Sequence, residues 1–225
     1  MVLSLISRRE NRILVTGGAG FVGSHLCERL IQDGYETVCL DNLSYSSLDN
    51  ISNLVGHDGF EFIEGDIRDE SLVSSIAPDF DVIYNLAAQG HVDRSIVEPR
   101  VTIDVNVQGL VNMLEAVRNT KECRIIHAST SEVYGAAQYV PMDELHPLDA
   151  PHVYGASKIA ADRICAAYSR SYSMNVSIVR CFNIYGPKQR QESYGAVIPI
   201  FVSNAINGKS LPVFGDGSQT RDYLY

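Results

Sequence analysis

A chain of 225 residues, 45% hydrophobic and 20% charged, has the make-up of one globular domain, or one domain with a small appendage, and can bury a real core. Eighteen basic against 27 acidic residues give a net charge of −9, which excludes nucleic acid as a general partner because phosphate backbones call for a basic surface. No apolar run reaches the ~18 residues of a membrane span, Met1–Glu10 lacks a signal-peptide cleavage pattern, and five scattered cysteines without a CxxC argue for reduced thiols in the cytoplasm, with no disulfide framework and no metal site.

The first predicted strand, Arg12–Thr16, runs into Thr16-Gly17-Gly18-Ala19-Gly20-Phe21-Val22-Gly23. Gly17, Gly20 and Gly23 give GxxGxxG; the early glycines permit a tight turn and close approach of a pyrophosphate, and the last lets the helix pack on the strand. A predicted helix, Val22–Gln32, follows, so its unpaired N–H groups face the same phosphates. The second strand, Thr37–Leu40, ends at Asp41-Asn42. A carboxylate there accepts both adenosine ribose hydroxyls and repels a 2′-phosphate, which predicts NAD rather than NADP; the plain alternative is a strand-ending turn. Further strands are predicted at Phe60–Ile63, Val82–Leu86, Arg124–Ala128 and Val176–Cys181, with helices at Asp69–Ile76, Val101–Arg118 and Tyr154–Tyr172. These strands are continuous apolar runs rather than alternating ones, as in a parallel sheet covered on both faces, so the fold class is α/β with a doubly wound parallel sheet. Asp66, in the Gly65-Asp66-Ile67 turn after the third strand, is placed near the adenine.

Tyr154-Gly155-Ala156-Ser157-Lys158 is a YxxxK spacing. On a helix, i and i+4 share a face, so the Lys158 ammonium is expected beside the Tyr154 phenol, drawing its pKa down from about 10 and turning it into a base for a sugar hydroxyl while a nicotinamide takes hydride. Ser129-Thr130-Ser131 follows the fifth strand, at the carboxyl edge where open α/β sheets bind ligands, and Thr130 is expected to bond the same hydroxyl; a helix cap or turn explains the triplet equally well. After Gly186 the texture changes. Pro187–Ser193 is polar, Ala196–Ala205 is apolar, and Leu211–Tyr225 is rich in glycine and turns, which reads as an appended segment packed against the sheet.

TGGAGFVGSHL (16–26), DNL (41–43), GDI (65–67), NLAAQGHVDRSI (85–96), STSEVYG (129–135), YGASK (154–158), RCFNIYGP (180–187), GAVIP (195–199) and GDGSQTRDYLY (215–225) together resemble the extended short-chain dehydrogenase/reductase family acting on nucleotide sugars. The resemblance implies a Rossmann domain over 1–186 that carries the catalytic residues, then the start of a substrate-binding segment at 187–225. It implies NAD contacts from Leu86, Ala87 and Ala88 beside Asn85, from Ser129, and from Asn106 as a structural or cofactor-contacting residue. Cys181 and Phe182 would flank the nicotinamide. His91 and Ser131 fall in segments resembling the dehydratases and are expected at the substrate, with Asn183 and Arg221 on its diphosphate and Val197 and Ile198 against its nucleotide. A homodimer through Val101–Arg118 and Tyr154–Tyr172 as a four-helix bundle is also implied. Relatives continue for roughly a hundred residues beyond the TRDY motif, so the chain is expected to be partial.

All members of the family oxidise C4 of the sugar. A 4-epimerase then returns hydride to the other face; a 4,6-dehydratase removes the C5 proton with a carboxylate and expels the C6 hydroxyl. Glu132 stands where that base would be, which favours a dehydratase. Ser131, however, occupies the position at which dTDP-glucose dehydratases carry an acid, so the 4-epimerase stays open. So does a protein that binds NAD without turnover, either as a non-catalytic protein or as an inactive fragment.

Overall fold

The computed structural model describes residues 12–120, 123–190 and 197–225, so Met1–Glu10 and the Gly195-Ala196 start of the GAVIP motif lie outside the described residues. Six strands, β1 (Arg12–Thr16), β2 (Glu36–Asp41), β3 (Phe60–Glu64), β4 (Val82–Asn85), β5 (Arg124–Thr130) and β6 (Asn175–Cys181), form an all-parallel sheet in the order β3-β2-β1-β4-β5-β6. Each matches an expected run to within about two residues at an end, β4 stopping one residue short of Leu86.

Both faces of the sheet are covered, which is why the strands read as unbroken apolar runs. On β1, Ile13 and Val15 pack with Cys27 and Leu30 of α1 (Phe21–Gln32). Leu14, between them, joins Val73 of α2 (Glu70–Ile76), Leu110 and Met113 of α5 (Gly109–Val117), and Ala161 and Cys165 of α6 (Val153–Tyr172) on the other face. Leu14, Ile83 and Ile125 are fully buried, each contributing about 1.5–3 kcal/mol, so the three central strands hold a rigid floor. Strand order reverses between β1 and β4, and the chain leaves their carboxyl ends toward opposite faces, opening the crevice in which such sheets bind ligands.

The expected Val101–Arg118 helix has another form. After α3 (Val92–Val97), α4 (Pro99–Ile103) leads through a π turn, Asp104–Gln108, into α5. The extra residue in that turn swings Asn106 inward, where it is buried.

The segment after β6 also differs from expectation. β7 (Asn183–Ile184) and β8 (Tyr223–Leu224) pair as a separate small sheet, α7 (Val197–Ile206) lies between them in sequence, and residues 205–225 are exposed instead of covering a sheet face. Lys188 ties the segment to the cofactor half, with Nζ donating to Glu28 Oε1 at 2.6 Å and to the Asn50 carbonyl at 2.7 Å. Among the described residues, no helix is long and apolar enough to cross a membrane.

Candidate active site

The glycine turn lies at the switch point. Gly17 has φ +69°, and a Cβ there would come within 2.8 Å of the Ala87 nitrogen; one on Gly23 would come within 2.2 Å of the Gly17 carbonyl oxygen. Gly17 is thus bare so that β1 and β4 can close on each other, and Gly23 so that α1 can close on the turn. Gly17 and Gly20 line a cleft of about 220 Å³ together with Asp41, Asn42, Asp66, Ile67, Leu86, Ala87 and Ala88.

These residues fit a dinucleotide. α1 starts just after Gly20, with no side-chain cap and no acid in its first turn, so its leading N–H groups are left for anionic oxygens. The buried Ser129 Oγ, at the carboxyl end of β5, has no hydrogen-bond partner among the described residues, as expected of a hydroxyl awaiting a ligand.

Asp41, 8% exposed, does more than line the cleft. Oδ2 accepts from the Ala19 nitrogen at 3.0 Å, and Oδ1 accepts from the Leu43 nitrogen at 2.9 Å and Ser46 Oγ at 2.6 Å. It clamps the glycine turn to the loop after β2, leaving one lone-pair site, on Oδ2, for a ribose hydroxyl. Asp66 accepts from Asn42 Nδ2 at 2.7 Å and from Arg68 Nη2 at 2.6 Å. The Arg68 guanidinium holds its carboxyl down to about 2. Asn106 does not line the cleft. Its Oδ1 accepts from the Gln89 nitrogen at 2.8 Å, and its Nδ2 donates to the Gln89 carbonyl at 3.1 Å and Ser157 Oγ at 2.9 Å. It reaches the cofactor side only through Gln89, as a strut, because both amide hydrogens are spent on protein. Phe21 and Val22 line a third, apolar recess with His25, Tyr185 and Tyr225.

Lys158 stands on the buried stripe of α6 with Gly155, Ala161, Asp162 and Cys165, and the half-buried Tyr154 stands one turn before it. Burial pushes the Tyr154 phenol above its usual 10, opposed in part by the neighbouring Thr130 hydroxyl. The expected acidification by Lys158 is absent. The ammonium turns toward the sheet, donates to the Ala128 carbonyl, and lies 3.4 Å from His127 Nε2. Helical spacing puts the two residues on one face, but the carbonyl satisfies a desolvated ammonium better than a neutral phenol does. Burial brings Lys158 down to about 8, partly opposed by Asp162, and holds His127 neutral. His127 also meets the Asn85 side-chain amide at 3.1 Å, and Asn85 Oδ1 accepts from Thr16 Oγ1 at 2.8 Å. A buried polar chain therefore joins β1, β4 and β5 to Lys158.

A second cavity, of about 630 Å³, opens beyond β5 and takes in Ser131, Glu132, Phe182, Asn183 and Arg221. Cys181, at the end of β6, neighbours Tyr154 and Lys158, and burial pushes its thiol up and keeps it neutral. Asn183 Nδ2 donates to the Asp222 carbonyl at 2.9 Å, holding β8 in place. Arg221 Nη1 donates to the Thr220 carbonyl at 2.7 Å. Val197 and Ile198 start α7 and are not part of the cavity lining. His91 stands elsewhere, its ring packed on Tyr45 at 5.6 Å beside the first cleft.

Sequence reasoning passed over Tyr45, Arg94, Gln89 and His152. The Arg94 guanidinium lies 4.2 Å above the Tyr45 ring and both line the first cleft; no local motif joins residues so far apart in the chain. Buried Gln89 was legible only as the polar residue that breaks the Leu86–Ala88 run. His152 was legible as the polar residue at the start of α6.

The model of the GDP-mannose 4,6 dehydratase family matches residues 14–225. The dTDP-glucose 4,6-dehydratase of an Actinoplanes species is 37% identical over 222 residues, covering 95% of this chain and 68% of that protein. The UDP-glucose 4-epimerase of Mycolicibacterium smegmatis is 38% identical over 217 residues, covering 95% and 69%. The crystal structure of DesIV, a dTDP-glucose 4,6-dehydratase from Streptomyces venezuelae solved with NAD bound, superposes with a TM-score of 0.88 at 39% identity, over 95% of this chain and 67% of that one. With its six parallel strands, bare glycine turn and Tyr154–Lys158 helix, the chain belongs to the NAD-dependent nucleotide-sugar epimerase/dehydratase family of extended short-chain dehydrogenases.

Proposed function

We propose that the protein oxidises C4 of a nucleoside-diphosphate sugar and then eliminates water across C5 and C6, as a 4,6-dehydratase. The observation that carries this reading is the Glu132 carboxylate, half exposed into the second cavity, two residues beyond the Thr130 hydroxyl that neighbours Tyr154. NAD, when bound, would supply the hydride acceptor and donor.

Within that arrangement Tyr154 takes the proton of the C4 hydroxyl, and Thr130 holds the oxygen as charge moves. Lys158 fixes the end of β5, next to Thr130, through the Ala128 carbonyl. Glu132 removes the C5 proton, made acidic by the C4 ketone. Its neighbour Ser131 is a poor proton donor, so Glu132 returns that proton to the departing C6 hydroxyl and water leaves. Asn183 and Arg221 are the cavity's groups for the diphosphate. Gly17–Gly23, Asp41, Asp66, Leu86–Ala88 and Ser129 hold NAD.

The full-length protein incubated with dTDP-, UDP- and GDP-sugars is expected to yield the alkali-induced chromophore of a 4-keto sugar. Glu132→Gln should lower that rate ~100-fold or more while C4 oxidation, read as NADH, persists. An epimer as sole product, with Glu132→Gln at wild-type rate, would establish the 4-epimerase that the Mycolicibacterium relative supports. The proposal also includes a division near Gly186 and a homodimer through Val101–Arg118 and Tyr154–Tyr172, on which Ile103 and Tyr172 are exposed. Sedimentation velocity should show two copies, with Ile103→Glu reducing them to one. Four buried thiols and a half-buried Cys181, all free, fit a reducing cytoplasm.

A further inference from the structure

The geometry points to His152 as a positioning residue for Glu132, one that leaves the carboxylate a single working oxygen; this rests on the dehydratase reading above. His152 caps α6, and its Nδ1 accepts from the Gly155 backbone nitrogen at 3.0 Å. A backbone N–H can only donate, so Nδ1 carries a lone pair and the proton of the neutral ring is on Nε2. Nε2 lies 3.0 Å from Glu132 Oε2. The contact is therefore a hydrogen bond from a neutral imidazole to a carboxylate, with its direction fixed by the helix cap.

Two consequences follow for the chemistry. Oε2 is tied, which leaves Oε1 for the C5 proton. His152 cannot relieve Glu132 of that proton, because its one free lone pair is spent on Gly155. The proton stays on Glu132 until the C6 hydroxyl leaves, as an active site lacking an acid at Ser131 requires.

The surroundings are built around this pair. His152 is 13% exposed and Glu132 45%, so the donor is held in the wall while the acceptor faces the cavity. The His152 ring stacks on Tyr154 with centroids 6.1 Å apart and planes 14° from parallel. A Cβ on Gly155 would stand 2.9 Å from the Glu132 carbonyl oxygen and 3.2 Å from His152 Cε1. Gly155 is bare so that the start of α6 can close on Ala150, the Glu132 backbone and the His152 ring.

The test separates capping from positioning. Asn caps helices as well as any residue but is too short to span to Glu132, so His152→Asn keeps the cap and loses the contact. In the NAD-loaded, full-length protein with dTDP-glucose and UDP-glucose as probes, His152→Asn should leave Tm, KM and the NADH signal of C4 oxidation unchanged. Its kcat for the 4-keto-6-deoxy product should fall about 10- to 100-fold, the worth of a hydrogen bond to a charged group. The isotope effect with C5-deuterated substrate should grow, because C5–H cleavage becomes slower. His152→Asn with wild-type kcat and isotope effect, alongside an inactive Glu132→Gln, overturns the role of His152 alone. Glu132→Gln at wild-type rate, or a wild type that makes no 4-keto product, overturns the dehydratase reading and this inference with it.

Discussion

A buried ammonium is costly, and Lys158 bears that cost where a methionine would not. Its pKa in the fold, about 8, lies below the ordinary 10.5 because burial disfavours the charged form. Between those two values the unfolded chain holds more protons than the folded one, so stability rises with pH across that window. Lys158→Met should remove this slope, raise stability at pH 7 and abolish turnover. Urea unfolding at pH 7 and pH 10 on both proteins measures it, and equal slopes in the two would refute the assignment. At this scale the sequence was only half legible. YxxxK identified the right pair of residues, but spacing on a helix says which face a side chain leaves from and not which acceptor a flexible ammonium chooses. The Ala128 carbonyl belongs to β5, and only the packed fold brings it within reach.

At the scale of elements, the strands and the glycine turn were legible because a sheet covered on both faces leaves apolar runs, and a strand-to-helix turn at a switch point leaves glycines. The helix expected over Val101–Arg118 was less so. Val107, Leu110, Val111, Leu114 and Val117 keep a helical repeat, and nothing in that repeat marks the π turn in which it begins. The turn nevertheless aims Asn106 at Gln89 and joins the loop after β4 to α6. Asn106→Ala would strip two backbone groups of Gln89 of their partner. It should cost about 1–3 kcal/mol of stability and weaken NAD binding through a loosened Leu86–Gln89 loop, although no atom of Asn106 is expected on the cofactor. Urea unfolding and a fluorescence titration with NAD check the two effects; unchanged NAD affinity would remove the strut role. His152 escaped notice for the same kind of reason, since a residue preceding a helix reads as a cap and its second bond is to a residue 20 positions earlier.

Over the whole molecule, the two cavities are built differently. The first is lined by the ends of the central strands and rests on the core, whereas the second draws Arg221 and Asp222 from the exposed stretch leading into β8. That stretch is held through β7, by the β7–β8 pairing and the Asn183–Asp222 bond. NAD binding should therefore survive changes that ruin the sugar site. Arg221→Ala is expected to raise the KM for the nucleotide sugar and leave the NAD-induced rise in Tm intact, which thermal denaturation with and without NAD would measure.

One stretch of backbone, Cys181-Phe182-Asn183, serves as a party wall: its first residue neighbours the Tyr154 and Lys158 groups and the next two face the second cavity. Tenants on either side of a common partition cannot settle independently, and whatever stiffens it for one prepares it for the other. By reciprocity, the factor by which a nucleoside diphosphate tightens NAD must equal the factor by which NAD tightens the nucleoside diphosphate.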